Sequence, residues 1–314
     1  MELEEIRALR RALHQCPEPS GEEVRTKALL MDFLRTRAGL ELHPCGEGFY
    51  AARREPGGTR PPVVLRADYD ALALPDGGAA HLCGHDGHAA ALCGAALSLQ
   101  GETLGRDVFF LFQPAEETGA GASGCLELLD RERVAEIYGA HNLPGYPLGQ
   151  VLTRPGTFAC ASRGVTLALE GRPAHAAYPE DGLSPAEAVG RLLCALPELA
   201  RAERYGGLTL CTVVGAELGG RAFGTAAARG EVWLTLRAEA DGDLERLHGD
   251  ILGLAGSLAG EYGLGFRHGE QDAFPATVND PACARLVLER CGGGLLPGPM
   301  RWSEDFGHYL RRCP

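Results

Sequence analysis

The chain has 314 residues, 45% of them hydrophobic and 23% charged, a balance typical of a folded protein too long for one small core, so one large domain or two is expected. A formal net charge of -12, with Lys27 the only lysine and no dense basic run, argues against a nucleic-acid partner, because phosphate binding needs a basic surface. Eleven cysteines, an odd number scattered singly, suit a reducing cytoplasm rather than a disulfide framework.

The N-terminal stretch MELEEIRALRRALHQ is charged and helical in pattern, with no apolar leader core, and no later run approaches the length of a membrane span. Helical periodicity covers residues 2–14. A second helix is predicted after Ser20, with Ser20 and Glu23 as a capping box. Short apolar runs then alternate with helices: VVLRAD (63–68), VFFLFQ (108–113) and EIYGAH (136–141). Continuous apolar runs predict buried parallel strands joined by helical crossovers. The expected class is α/β, a mainly parallel sheet with helices on both faces.

From Arg163 to about Ala273 the texture changes. GVTLALEG, LTLCTVVGAEL, GEVWLTLRAE and the segment around GFRHGE read as strands. PAEAVGRLLCALPELA, with Pro185 at its start, and the long run from Asp241 read as helices. The order β-α-β-β-α-β is that of a ferredoxin-like α+β unit. The predicted organisation is therefore a catalytic domain of residues 1–162 and 273–314, interrupted by an inserted domain of residues 163–272.

Open parallel sheets bind ligands beyond the carboxyl ends of their strands, and three predicted strands end in metal-type residues. VVL leads to Arg66, Asp68 and Asp70; VFFLF leads to Gln113, Glu116 and Glu117; IYGA leads to His141 and Asn142. Between the first two lies HLCGHDGH, with His81, Cys83, His85, Asp86 and His88 just before an Ala-rich helix. Taken singly, the aspartates read as turn or capping residues, the glutamates as an exposed pair and His141 as a half-buried histidine. The Cys-x-His loop is different, because both side chains reach one cation from it, and a helix N-terminus is expected to lower the thiol pKa. Of two adjacent glutamates at such a site, one can ligate while the other holds the attacking water and takes its proton. A cysteine hydrolase using Cys83 with His85 is the weaker alternative, since both lie in one tight loop with no evident orienting acid.

The motifs LRRALHQCPEPSGEE, LRADYDAL, CGHDGHAAALCGAA, FLFQPAEETGAGASG, GAHNLPGYPLGQVLTRPG, GRPAHAAYPEDGLSP, FPATVND and WSEDFGHYL run through essentially the whole chain in order. Together they resemble the metal-dependent amidohydrolases of the aminoacylase/carboxypeptidase superfamily (peptidase family M20). The likeness is to the branch of hippurate hydrolases, indole-acetyl-amino-acid hydrolases and N-acetyldiaminopimelate deacetylases. The resemblance implies that Cys83, His85, Glu117 and His141 are ligands of two divalent metal ions, zinc or manganese, with cobalt or nickel also accepted by such donors. It implies Glu116 as general base, Asp70 as the aspartate that orients the ligands, and His175, from the inserted lid and dimerisation domain, as oxyanion support. Substrate binding is expected of Arg237 and Asn142. The implied substrate is a small N-acyl amino acid, and the implied assembly a homodimer through the inserted domain, with no membrane or nucleic-acid partner.

Some positions depart from the family pattern. A further metal-binding histidine, expected several tens of residues beyond SEDF, has no counterpart before Pro314. Gly224 and Ala227 stand where relatives usually carry Asn and Pro, and Glu180 where a second histidine is common. His308 replaces a residue that is usually aromatic. The missing histidine leaves open a catalytically impaired metal-binding protein or a fragment, beside hydrolysis of N-acyl amino acids or dipeptides.

Overall fold

In the computed structural model, which describes residues 3–314, the chain divides into two units. One consists of Met1–Gly156, Thr277–Pro297 and Glu304–Pro314, the other of Thr157–Ala276 and Gly298–Ser303.

The first unit opens with helix α1 (Leu3–His14), which buries Leu9 and Leu13; Glu2, where the periodicity begins, lies outside the described residues. Helix α2 (Val24–Phe33) follows, but the predicted capping box does not form. Glu23 sits at the N-cap without a side-chain cap bond. Glu18 takes over, accepting from the N–H groups of Arg25 at 3.1 Å and Thr26 at 2.8 Å and from the Thr26 hydroxyl. A carboxylate from outside the helix thus satisfies its open first turn, a contact of the kind worth about 0.5–2 kcal/mol. Ser20 and Glu23 are left to point elsewhere.

Strands β1 (Glu41–Cys45), β2 (Gly48–Arg53) and β3 (Val63–Asp68), helix α3 (His85–Ser98), and strands β4 (Val108–Gln113) and β5 (Glu136–Gly139) complete the core of this unit. The five-stranded sheet has the order β1-β2-β4-β3-β5. β4, β3 and β5 are parallel, and β1-β2 is an antiparallel hairpin added at one edge. The expected strand over 136–141 ends at Gly139, which frees His141 from the ladder. All six residues of β4 are buried. Phe110 and Phe112 meet Ala89, Ala90, Cys93 and Leu13 on one face, while Phe109 and Leu111 meet Ala122, Leu128 and Tyr309 on the other. This two-sided burial is the reason for the unbroken apolar run. The alanines of α3 let that helix lie close to the sheet, so its N-terminus comes to the strand ends.

The second unit consists of β6 (Ala161–Glu170), α4 (Ala186–Leu199), β7 (Thr209–Leu218), β8 (Arg229–Ala238), α5 (Asp241–Glu261) and β9 (Gly265–Phe274). Its sheet is antiparallel, ordered β7-β8-β6-β9, the arrangement of a ferredoxin-like unit. Alternate residues of β8 are buried, as one covered face requires. Returning to the first unit, α6 (Pro281–Cys291) begins with Asp280 accepting from the N–H groups of Ala282 and Cys283. Among the described residues no helix is long and apolar enough to cross a membrane.

Candidate metal centre

The site lies at the carboxyl ends of β3, β4 and β5. Beyond β3, Asp70 accepts from three directions: its Oδ1 is 2.9 Å from His85 Nδ1, and its Oδ2 accepts from the Glu117 N–H at 3.0 Å and the Ser20 hydroxyl at 2.7 Å. With His85 Nδ1–H committed to Asp70, Nε2 is the nitrogen left to face a cation, which takes the place of its proton. That Nε2 is buried with no hydrogen-bond partner, as is Oε1 of Glu117, 3.8 Å away. Cys83, His85 and Glu117 bring ligand atoms within 4.8 Å of one another. Two orphaned buried polar atoms beside a thiol fit a divalent cation and fit little else, because leaving such atoms unpaired is costly.

His85, His88 and His141 form an overlapping group with donor atoms equally close. His88, however, is committed: its Nδ1 is 2.7 Å from Asp68 Oδ1, and its Nε2 accepts from the Asn142 N–H at 3.0 Å. His141 differs, since Nδ1–H donates to the Asn142 carbonyl at 2.8 Å and Nε2 faces the site, 3.3 Å from Glu304 Oε1. The Asn142 amide donates to the Cys83 carbonyl, so it fastens the cysteine loop to the end of β5. Gly84, at φ +88, makes this possible: a Cβ there would come within 2.6 Å of that amide nitrogen.

Beyond β4 the chain turns sharply. Ala115 has φ 52, a left-handed conformation that costs energy for a residue with a Cβ. Its N–H donates to Glu23 Oε1 at 2.8 Å. A Cβ on Gly121 would lie 1.8 Å from the Pro114 carbonyl, so only glycine permits this turn. The turn sends the two glutamates different ways. Glu117 joins Cys83 and His85, while Glu116 is buried with Glu304 and Asp305, its Oε1 accepting from the Asp305 N–H at 3.2 Å and its Oε2 3.9 Å from His85 Nε2.

The electrostatics are those of crowded carboxylates. Burial, then Glu304, Asp305 and Asp68, hold Glu116 well above the usual carboxylate range. Burial also raises Glu117, lifts Glu304 to about 8 and Asp305 to about 6. Burial opposes the charged form of His85, but Asp68, Asp70 and Glu117 outweigh it and bring that imidazole to about 10. His141 falls to about 4 through burial and its neighbour His88, and is therefore neutral near pH 7. The lowered Cys83 thiol expected from the α3 N-terminus is not found: burial and Glu117, Glu116 and Glu304 push it up. A helix end carries only about half a charge, and facing carboxylates overcome it.

Several residues of this centre were named at a strand end or within a motif but given no role from sequence. Arg66 is fully enclosed, donating to Asp68 at 2.6 Å, Asp305 at 2.8 Å and Gln113 at 2.8 Å, with Glu304 3.6 Å away. Glu304 and Asp305 belong to the recognised WSEDFGHYL motif, yet the side-chain partners of Asp305, namely Arg66, Gln113 and the Ala122 N–H, are more than 180 positions away.

His175 and Arg237 lie in the second unit. His175 is exposed and pairs across from Thr225, and its Nδ1 accepts from the Ala177 N–H at 3.1 Å, so Nε2 carries the proton. Arg237 donates to the Arg301 carbonyl at 3.1 Å and the Ser303 hydroxyl at 2.9 Å, and burial lowers its pKa.

Comparison with known proteins points the same way. The model of peptidase family M20/M25/M40 matches residues 64–314. The chain is 29% identical over 326 residues to an N-acetyl-L-cysteine deacetylase of Bacillus subtilis, covering 98% of this chain and 77% of that one. It is 30% identical over 332 residues to IAA-amino acid hydrolase ILR1-like 4 of Arabidopsis thaliana, covering 98% and 74%. A crystal structure of a dinuclear metal-binding peptidase of family M20 from Bacillus subtilis matches the fold with a TM-score of 0.80 at 24% identity, covering 99% of this chain and 86% of that one.

Proposed function

The chain belongs to peptidase family M20/M25/M40, and from that premise we propose that it hydrolyses the amide bond of N-acyl amino acids or related small conjugates. It is a hydrolase of amide bonds that works with divalent metal ions. The observation that carries the finer reading is the divergence of two adjacent carboxylates. Glu117 offers an unpartnered oxygen beside Cys83 and His85, while Glu116 is enclosed with acidic neighbours that raise its basicity.

In this reading Cys83, His85, Glu117 and His141 hold two ions, zinc or manganese, with cobalt or nickel accommodated by the same donors. When bound, such ions supply Lewis acidity and lower the pKa of water. Glu116 takes the proton of the attacking water and passes it to the leaving nitrogen; a carboxylate held above its usual range is the stronger base for the first transfer. Asp70 fixes the tautomer and angle of His85. His175 presents Nε2–H to the developing oxyanion, and Arg237 and Asn142 bind the substrate.

A homodimer through the second unit is supported by the edge strand β7, which exposes Val213, Val214 and Leu218. A reducing cytoplasm is supported by buried Cys45, Cys93 and Cys125, which are free thiols. The deciding experiment assays Glu116→Gln after metal loading, on a panel of N-acetyl, N-benzoyl and dipeptide substrates. Turnover is expected to fall at least about 100-fold with metal content unchanged. Wild-type turnover by the loaded variant would remove Glu116 from this role.

A further inference from the structure

We propose that Ser20 and Glu23 are positioning residues of the metal centre, Ser20 acting through Asp70 and Glu23 through the Ala115 turn. The inference rests on the reading of Cys83, His85, Glu116 and Glu117 given above, and names what holds them in place.

The segment is docked beside the site by its backbone. Pro19 pairs with Ala71 in a parallel bridge, and the Ala71 N–H donates to the Glu18 carbonyl at 2.9 Å. Ser20 is thereby brought alongside Asp70, and its hydroxyl donates to Oδ2 at 2.7 Å. The same Oδ2 accepts from the Glu117 backbone, while Oδ1 holds His85. Asp70 is therefore the joint between two ligand-bearing segments, and the serine hydroxyl is the contact that fixes its rotation from a third. Without the serine each oxygen keeps one donor, His85 on Oδ1 and the Glu117 N–H on Oδ2; with it Oδ2 is held from two segments, which narrows the rotation of the carboxylate.

Glu23 does the corresponding work for the glutamate pair. It is buried, and its Oε1 accepts from the N–H of Ala115, the residue at φ 52 immediately before Glu116. Strained backbone persists only where its surroundings over-determine it. This hydrogen bond, together with Gly121 packed under the Pro114 carbonyl, supplies that constraint. The turn decides that Glu116 and Glu117 face different partners.

Neither side chain is needed by its own helix. The first turn of α2 is satisfied by Glu18, so a Ser-x-x-Glu pattern suited to helix capping is spent on another segment.

The test compares Ser20→Ala with Ser20→Thr, and Glu23→Ala with Glu23→Gln, in the full chain. Zinc affinity is read by competition with a chromophoric chelator, kcat and KM on an N-acyl amino acid, and the urea midpoint of the metal-free protein. The alanine variants are expected to bind zinc more weakly by roughly 10–100-fold and to lose kcat with little change in KM. Ser20→Thr keeps the donor and Glu23→Gln keeps the acceptor, and both are expected to restore the zinc affinity. Unchanged zinc affinity in the alanine variants overturns the proposal, as does a loss that tracks the urea midpoint and is not rescued. Because zinc binding is read without turnover, an active Glu116→Gln would overturn the function of Glu116 and leave this inference standing.

Discussion

In the second unit β8 buries every other residue, its hydrophobic cluster is made of Ala, Val, Leu and Ile, and among the described residues its buried polar side chains are three, Ser162, Thr209 and His248. In the first unit β4 is buried at all six positions, and the strand ends are surrounded by buried Arg66, Asp68, Asp70, His85, Glu116, Glu304 and Asp305. An aliphatic core with one covered face is stabilised by area alone, and nothing in it is charged. Buried charges carry a desolvation cost that mutual attraction only partly offsets, so they persist where they are paired, hydrogen-bonded or destined for a cation. The difference separates a unit organised for shape from a unit organised around a site.

The sharpest way to break the comparison is Arg66→Met, which leaves Asp68 and Asp305 without their cation. Loss of one partner of a buried charge network is expected to cost about 3–5 kcal/mol in urea unfolding. A change below about 1 kcal/mol would mean that the carboxylates are protonated and need no partner. In the second unit Leu167→Ala, at a fully buried position of β6, should cost about 2–5 kcal/mol and leave zinc affinity as in the wild type. Weakened zinc binding there would show that the two units are not independent in the way their cores suggest.

The smallest effect is one of pH. In chelator-treated protein His85 titrates near 10 rather than 6.5, so its stabilising charge is fully present below about 6.5 and is lost as pH rises through about 10. The urea midpoint of the metal-free protein should therefore fall between pH 6.5 and pH 10, and His85→Asn should flatten that fall. An equally steep fall in the variant would assign it to other groups.

How much was legible depended on range. The run 108–113 was readable because both faces of β4 are covered and every position must be apolar. The hairpin 41–53 was not, since β1 is a partly exposed edge strand carrying His43 and Pro44, with no apolar periodicity. Ser20 and Glu23 matched a local capping signature, but partners roughly fifty and ninety positions away took both side chains. The Cys83 thiol was misread for the same reason, the helix end being adjacent in sequence and the opposing carboxylates distant.

By itself the sequence determined the layered α/β class, the antiparallel second unit and the ligand types at the strand ends, because hydrophobic period and residue chemistry are local properties. Only the tertiary structure decided the rest. That Glu117 faces Cys83 while Glu116 faces Glu304, that His88 is spent on Asp68, and that Arg66 neutralises Asp305 from 239 positions away are outcomes of which segments meet. Hydrogen bonds and charge interactions act through space over a few ångströms, and chain order does not record that separation.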